Sequence, residues 1–179
     1  MLDWSRLKTY QNSKYKSFEE LCYQLAKRLH GSRGWFTSID DSGGGEGVEF
    51  YLTLANGDEC GWQAKSYWPN PRLDARRKRS IINSLETSKK NHPRLVQWFL
   101  CTPTSFTSKG KNNEATWFSQ TLSKITGSVP IEHWDDRTIH EYVAQPAMVG
   151  ISKYFFGELE LFPELCFAKI SSVRVVRDS

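Results

Sequence analysis

Three polar side chains on two neighbouring segments have the types and spacing for phosphodiester chemistry: Glu49, Gln63 and Lys65. Apolar and polar residues alternate from Val48 to Leu54, which predicts a strand. Val48, Phe50, Leu52 and Leu54 should share one face, and Glu49, Tyr51 and Thr53 the other. Asn56-Gly57-Asp58 closes a hairpin. The returning strand, Glu59 to about Tyr67, puts Trp62 and Ala64 on one face and Gln63 and Lys65 on the opposite one. If the register aligns them, a carboxylate, an amide oxygen and an ammonium converge. A carboxylate anchors a hard divalent cation, and such a cation polarises phosphate and acidifies a bound water. A lysine holds that water or stabilises charge in the transition state. The Ala64 carbonyl offers a further oxygen ligand. Taken singly these residues are commonplace, since an acid on the outer face of a strand is usually just solvated. Their conjunction with the Gly-rich turn before the hairpin gives them weight.

The flanking segments supply a scaffold. Residues 1–16 are polar with a few aromatics and read as a short helix or an extended lead-in. Phe18, Leu21, Cys22, Leu25 and Leu29 recur at helical spacing, and Ser17 with Glu20 forms a capping box at the start of that helix. Trp35 to Ile39 is a short strand and residues 40–47 a turn. A helix over 73–91 carries Ile81, Ile82 and Leu85 on its apolar side. Leu95 to Cys101 is a continuous apolar run, as in a buried central strand. A helix over 114–126 and a strand from Val129 to Trp134 follow, then a last helix through Val143 capped by Asp135 or Asp136. This order predicts an α/β domain with a mixed sheet flanked by helices.

The chain has 179 residues, one domain's length, with 24 Lys+Arg against 20 Asp+Glu. The net +4 is too small to name a partner, but it is unevenly placed. Residues 72–94 hold Arg72, Arg76, Arg77, Lys78, Arg79, Lys89, Lys90 and Arg94 against Asp74 and Glu86, a net +6. That segment is either a solvated helix or a contact surface for nucleic-acid phosphates. Its position directly after Gln63 and Lys65 favours the second. Lys109 and Lys111 would add contacts, and Tyr67 and Trp68 would stack on a base or simply pack. No base-reading pattern is present, so sequence specificity should be weak. No apolar run is long enough for a membrane span, and the first residues have no signal-peptide core. Cys22, Cys60, Cys101 and Cys166 are dispersed among apolar neighbours, which predicts buried free thiols and a cytoplasmic setting. His30, His92, His133 and His140 show no metal-binding spacing. The loop GGGEG lacks the Gly-Lys-Ser/Thr ending of a phosphate-binding loop.

Four segments in order, FEELCYQLA, GGGEGVEFY, GWQAKSY and WFLCTP, resemble the PD-(D/E)xK nuclease superfamily, in particular its Mrr-like restriction endonuclease branch. The resemblance spans roughly residues 17–145 and implies a restriction-endonuclease-like core that cleaves DNA with Mg²⁺ or Mn²⁺. It implies that Glu49 is the metal-binding acid of the first motif, and Gln63 and Lys65 the second. Glu46 would be a second ligand or shape the turn. Glu19, the acid of the N-terminal Phe-Glu pair, would face the active site. Two departures stand out: Glu rather than Asp at position 49, and Gln at 63 where the wider superfamily has an acid. Similar domains sit at the N-terminus of antiviral sensors, including the STAND-type NTPases of antiphage defence. Double-stranded DNA, a fused sensor or NTPase domain and a homo-oligomer are the partners implied. Residues 146–179 then read as an extension towards a further domain. A nucleic-acid-binding module without catalysis, or an RNA-directed nuclease, are the alternatives.

Overall fold

The computed structural model describes residues 2–39, 46–67, 72–108, 113–127 and 129–157. Five strands form one mixed sheet: β1 (Gly34–Ser38), β2 (Phe50–Leu54), β3 (Glu59–Ala64), β4 (Leu95–Cys101) and β5 (Ile131–Trp134), side by side in that order. The first three are antiparallel neighbours, and β3, β4 and β5 are parallel. The β2–β3 hairpin turns at Gly57, whose φ of +81° is open to glycine, and pairs Thr53 with Glu59. The crossover from β3 to β4 carries α2 (Ala75–Asn91).

Apolar residues cover both faces of the sheet. On one face, α1 (Lys14–His30) buries Phe18, Leu21, Cys22 and Leu25 against Phe50, Leu52, Trp62 and Phe99. Trp62 and Phe99 stack with ring centroids 4.4 Å apart. On the other face, Ile81 and Leu85 of α2 pack with Val48, Trp98, Leu100 and Leu122. That layer is completed by α3 (Glu114–Thr116), a wider π-helical stretch (Trp117–Leu122) and α4 (Ser123–Thr126), where a single helix was expected. The buried Glu114 carboxylate accepts from the backbone N–H groups of Leu73 (2.6 Å) and Thr107 (3.0 Å), tying the approach to α2 to the loop after β4. Asp135 caps α5 (Asp136–Val143) by accepting from the Thr138 amide. The three described cysteines, Cys22, Cys60 and Cys101, are buried and unbridged; Cys166 lies outside the described residues.

Two expectations are corrected. The first helix starts at Lys14, not Ser17, and its cap is Ser13. Ser17 is inside the helix and buried, its hydroxyl donating to the Lys8 carbonyl and accepting from the Tyr10 amide, both at 2.6 Å. Residues before it are no loose lead-in, since Leu2, Trp4 and Leu7 belong to the core and Trp4 Nε1 donates to Asp136 at 2.7 Å. Residues 146–157 also join this core through Met148, Phe155 and Phe156, the last two on α6 (Val149–Phe156). The tail from 158 onward, expected to lead into another domain, lies outside the described residues. No helix among the described residues is long and apolar enough to cross a membrane.

The second correction concerns Val48 and Glu49. The predicted alternation holds from Phe50 onward and breaks before it. The Glu49 amide donates to the Trp62 carbonyl at 2.7 Å, and Trp62 is already the ladder partner of Phe50. Two residues facing one make a β-bulge, which shifts the alternation by one residue. Val48 therefore packs on the α2 face, while Phe50 keeps to the α1 face. Gly61 leaves the room: a Cβ there would lie 2.6 Å from Val48 Cγ1.

Candidate active site

The bulge re-aims Glu49 towards α1. Glu49 is 6% exposed and its Oε1 accepts from two elements at once. Gln63 Nε2 donates to it from β3, and the Tyr15 hydroxyl donates from the first turn of α1 at 3.3 Å. Glu49 and Glu19 line one depression together with Lys16 and Tyr23. Lys16 Nζ pairs with Glu19 Oε2 at 2.7 Å. Glu19 Oε1 is buried and has no hydrogen-bond partner. Burial, then the charges of Glu49 and Glu19, push the Tyr15 phenol far above its ordinary range, so it stays protonated and acts as a donor.

Gln63 and Lys65 project to the α2 side, as alternation predicts. They line a cleft of about 430 Å³ with Arg76, Arg79, Ser80, Asn83, Ser84, Thr87 and Gly47. Positions 76, 79, 80, 83, 84 and 87 of α2 follow helical spacing and form one polar stripe facing β3. The close approach depends on Gly47, whose φ is +83° and where a Cβ would lie 2.2 Å from the Ser84 carbonyl oxygen. The Lys65 amide donates to the Cys101 carbonyl at 2.9 Å, continuing the β3–β4 pairing past Ala64.

The structure thus brings together Glu49, Gln63 and Glu19 around the end of β2, and Lys65 with Arg76 and Arg79 beside Gln63. Ala64 is buried on the central strand with Cys101 as its ladder partner. Other candidates point elsewhere. Glu46 lies 3.4 Å from His92 Nε2, and the opposite ring nitrogen of His92 meets Glu59 at 2.9 Å. Glu46 thus braces the end of α2 and does not join Glu49. Arg77 donates to the Arg72 carbonyl at 2.7 Å and stacks over Tyr67, which answers whether Tyr67 packs. Lys78 sits over the Trp117 ring, and Lys89 donates to the Ile125 carbonyl at 3.0 Å. Arg72 and Lys90 are exposed at either end of the basic segment. Trp68, Lys109 and Lys111 lie outside the described residues.

Sequence reasoning missed Tyr15 and the α2 polar stripe. Tyr15 stands four residues before Glu19 on one helix, and that spacing was the available signal once the helix start was correct. The stripe was readable as Ser80, Asn83, Ser84 and Thr87 recurring between the arginines.

As a donor set for a metal, the site offers two buried carboxylates and a primary amide, with the unpartnered Glu19 Oε1 among them. These are all oxygen donors of the kind Mg²⁺ and Mn²⁺ take, and Mg²⁺ is commonly held by only one or two carboxylates plus water and substrate phosphate. No group of three or more His, Cys, Asp or Glu suited to a metal ion occurs among the described residues. Neither protein-family models nor curated proteins gave a match to this chain.

Proposed function

We propose that this protein is a metal-dependent endonuclease that hydrolyses phosphodiester bonds of double-stranded DNA with weak sequence specificity. In this reading its sheet is a restriction-endonuclease-like core of the Mrr-like PD-(D/E)xK branch. It serves as the effector domain of a larger prokaryotic antiviral protein and acts in the cytoplasm as a homo-oligomer. The observation that carries the proposal is the bulge that turns Glu49 onto Gln63, two residues before Lys65, beside a cleft walled by Arg76 and Arg79.

Glu49 and Glu19 would hold Mg²⁺ or Mn²⁺, with the Gln63 carbonyl oxygen and the Ala64 carbonyl as further donors. The bound cation would supply charge neutralisation at the scissile phosphate and a more acidic water. Gln63 fixes the Glu49 carboxylate through its Nε2 hydrogen bond. Lys65, on the same face as Gln63, orients the attacking water or meets charge on the phosphoryl oxygens. Arg76 and Arg79 hold adjacent phosphates in the cleft, and their charge brings the polyanion to it.

One observation favours a second reading, a nucleic-acid-binding module without catalysis: Glu49 Oε1 is already engaged by Gln63 and Tyr15. Cleavage of supercoiled plasmid in Mg²⁺ separates the two. The nuclease reading expects nicking or linearisation that falls by about 10²–10⁴-fold in Glu49→Gln and Lys65→Ala. Cutting by both variants at the parent's rate would refute the assigned site. Plasmid binding without any cutting, even when the chain is fused to a dimerising partner, would favour the second reading, and cutting of RNA alone would change the substrate.

A further inference from the structure

We infer that Tyr15 is a positioning residue for metal binding, acting through Glu49. This rests on the reading of Glu49 as a metal ligand. The geometry grips one carboxylate oxygen from two sides: Gln63 Nε2 reaches Glu49 Oε1 from β3, and the Tyr15 hydroxyl reaches it at 3.3 Å from α1. A carboxylate held by two donors on different elements keeps its orientation before any ion arrives, so less ordering is left for binding. Outer hydrogen-bond partners of metal ligands commonly carry 10–100-fold of the affinity in this way.

The chain fixes Tyr15 itself with unusual care. Gln11 and Asn12 turn the backbone at φ of +49° and +57°, and Tyr10 and Ser13 bridge across them. Non-glycine residues with left-handed φ are uncommon, and two in succession define a tight reversal. Ser13 then caps α1, and Ser17 ties the helix to Lys8 and Tyr10. The first turn of α1 is therefore set against the depression that holds Glu49 and Glu19.

The test is Mn²⁺ binding by the full chain, read from the electron paramagnetic resonance signal of free Mn²⁺, without substrate and independent of turnover. Tyr15→Phe removes only the hydroxyl. The expected result is an Mn²⁺ affinity about tenfold or more weaker, with an unchanged melting temperature in metal-free buffer. In a Glu49→Gln background, Tyr15→Phe should cost less affinity than in the parent, because the Glu49 path is gone and only the interaction with Glu19 remains. Parent-like affinity in Tyr15→Phe, or an equal loss in both backgrounds, would overturn the inference while leaving the Glu49 site standing. Parent-like affinity in Glu49→Gln itself would overturn both.

Discussion

Glu49 draws its character from neighbours supplied by three segments: its own bulge, Gln63 on β3 and Tyr15 on α1. His133 shows the opposite case, a half-buried titratable group held by packing. Its ring stacks on Phe106 with centroids 4.0 Å apart, and Nε2 meets the Thr102 hydroxyl at 2.8 Å. Burial lowers its pKa to about 4, so the folded chain keeps it neutral while the unfolded chain protonates near its ordinary value of 6.5. The unfolded state thus binds more protons between those values, and stability is lost as pH falls from 6.5 towards 4. We expect His133→Gln to flatten the fall in urea-unfolding stability over that range by about 2–3 kcal/mol. A slope identical to the parent's would contradict the assignment. At this scale Glu49, Gln63 and Lys65 were visible in the sequence, because a carboxylate and a Gln-x-Lys pair flank a recognisable hairpin. Tyr15 was not, since its partner lies 34 residues away and its own segment looks like a polar leader. Glu46 was misleading: it stands three residues from Glu49, yet its side chain turns to His92.

Elements aim these residues. The β2–β3 register follows from the tight turn at Gly57 and was legible; the bulge at Glu49 was not, because the residue types on both sides of it still alternate. Period-two patterning shows where faces are, while an inserted residue shows itself only through backbone bonds. The start of α1 was misplaced for a related reason: Ser13 and Ser17 both suit a cap, and tertiary contacts to Lys8 and Tyr10 claim Ser17 for the interior. Between β2 and α2 the contact is Gly47 against the backbone at Ser84 and Ser88. Gly47→Ala combines a positive φ with that overlap, so a loss of about 2–4 kcal/mol in chemical unfolding is expected. Because α2 carries Arg76 and Arg79, the folded fraction of this variant should also bind DNA more weakly. Parent-like stability would mean that α2 is not seated through Gly47.

Across the whole molecule, two apolar cores hold the sheet between helical layers, and the candidate site lies where the end of β2 meets both layers. The Glu49 and Glu19 carboxylates gather on the α1 side and the basic stripe of α2 lies on the other, with Gln63 reaching Glu49 from the α2 side. A phosphate held between Arg79 and Lys65 would thus stand beside Gln63 and the Glu49 carboxylate it orients. The modest net charge of +4 conceals this division, because charges elsewhere offset the +6 of residues 72–94. The mixed α/β architecture was legible from helical and alternating periods; the depth to which residues 2–7 and 148–156 enter the core was not, since apolar runs as short as Tyr154-Phe155-Phe156 do not show what they pack against. The account stands on Glu49 as the group that holds a divalent cation. Anomalous diffraction from crystals of the protein soaked in Mn²⁺ tests this most directly. The account predicts a peak at coordination distance from the Glu49 carboxylate and the Ala64 carbonyl. Mn²⁺ bound elsewhere, with none at Glu49, would contradict it.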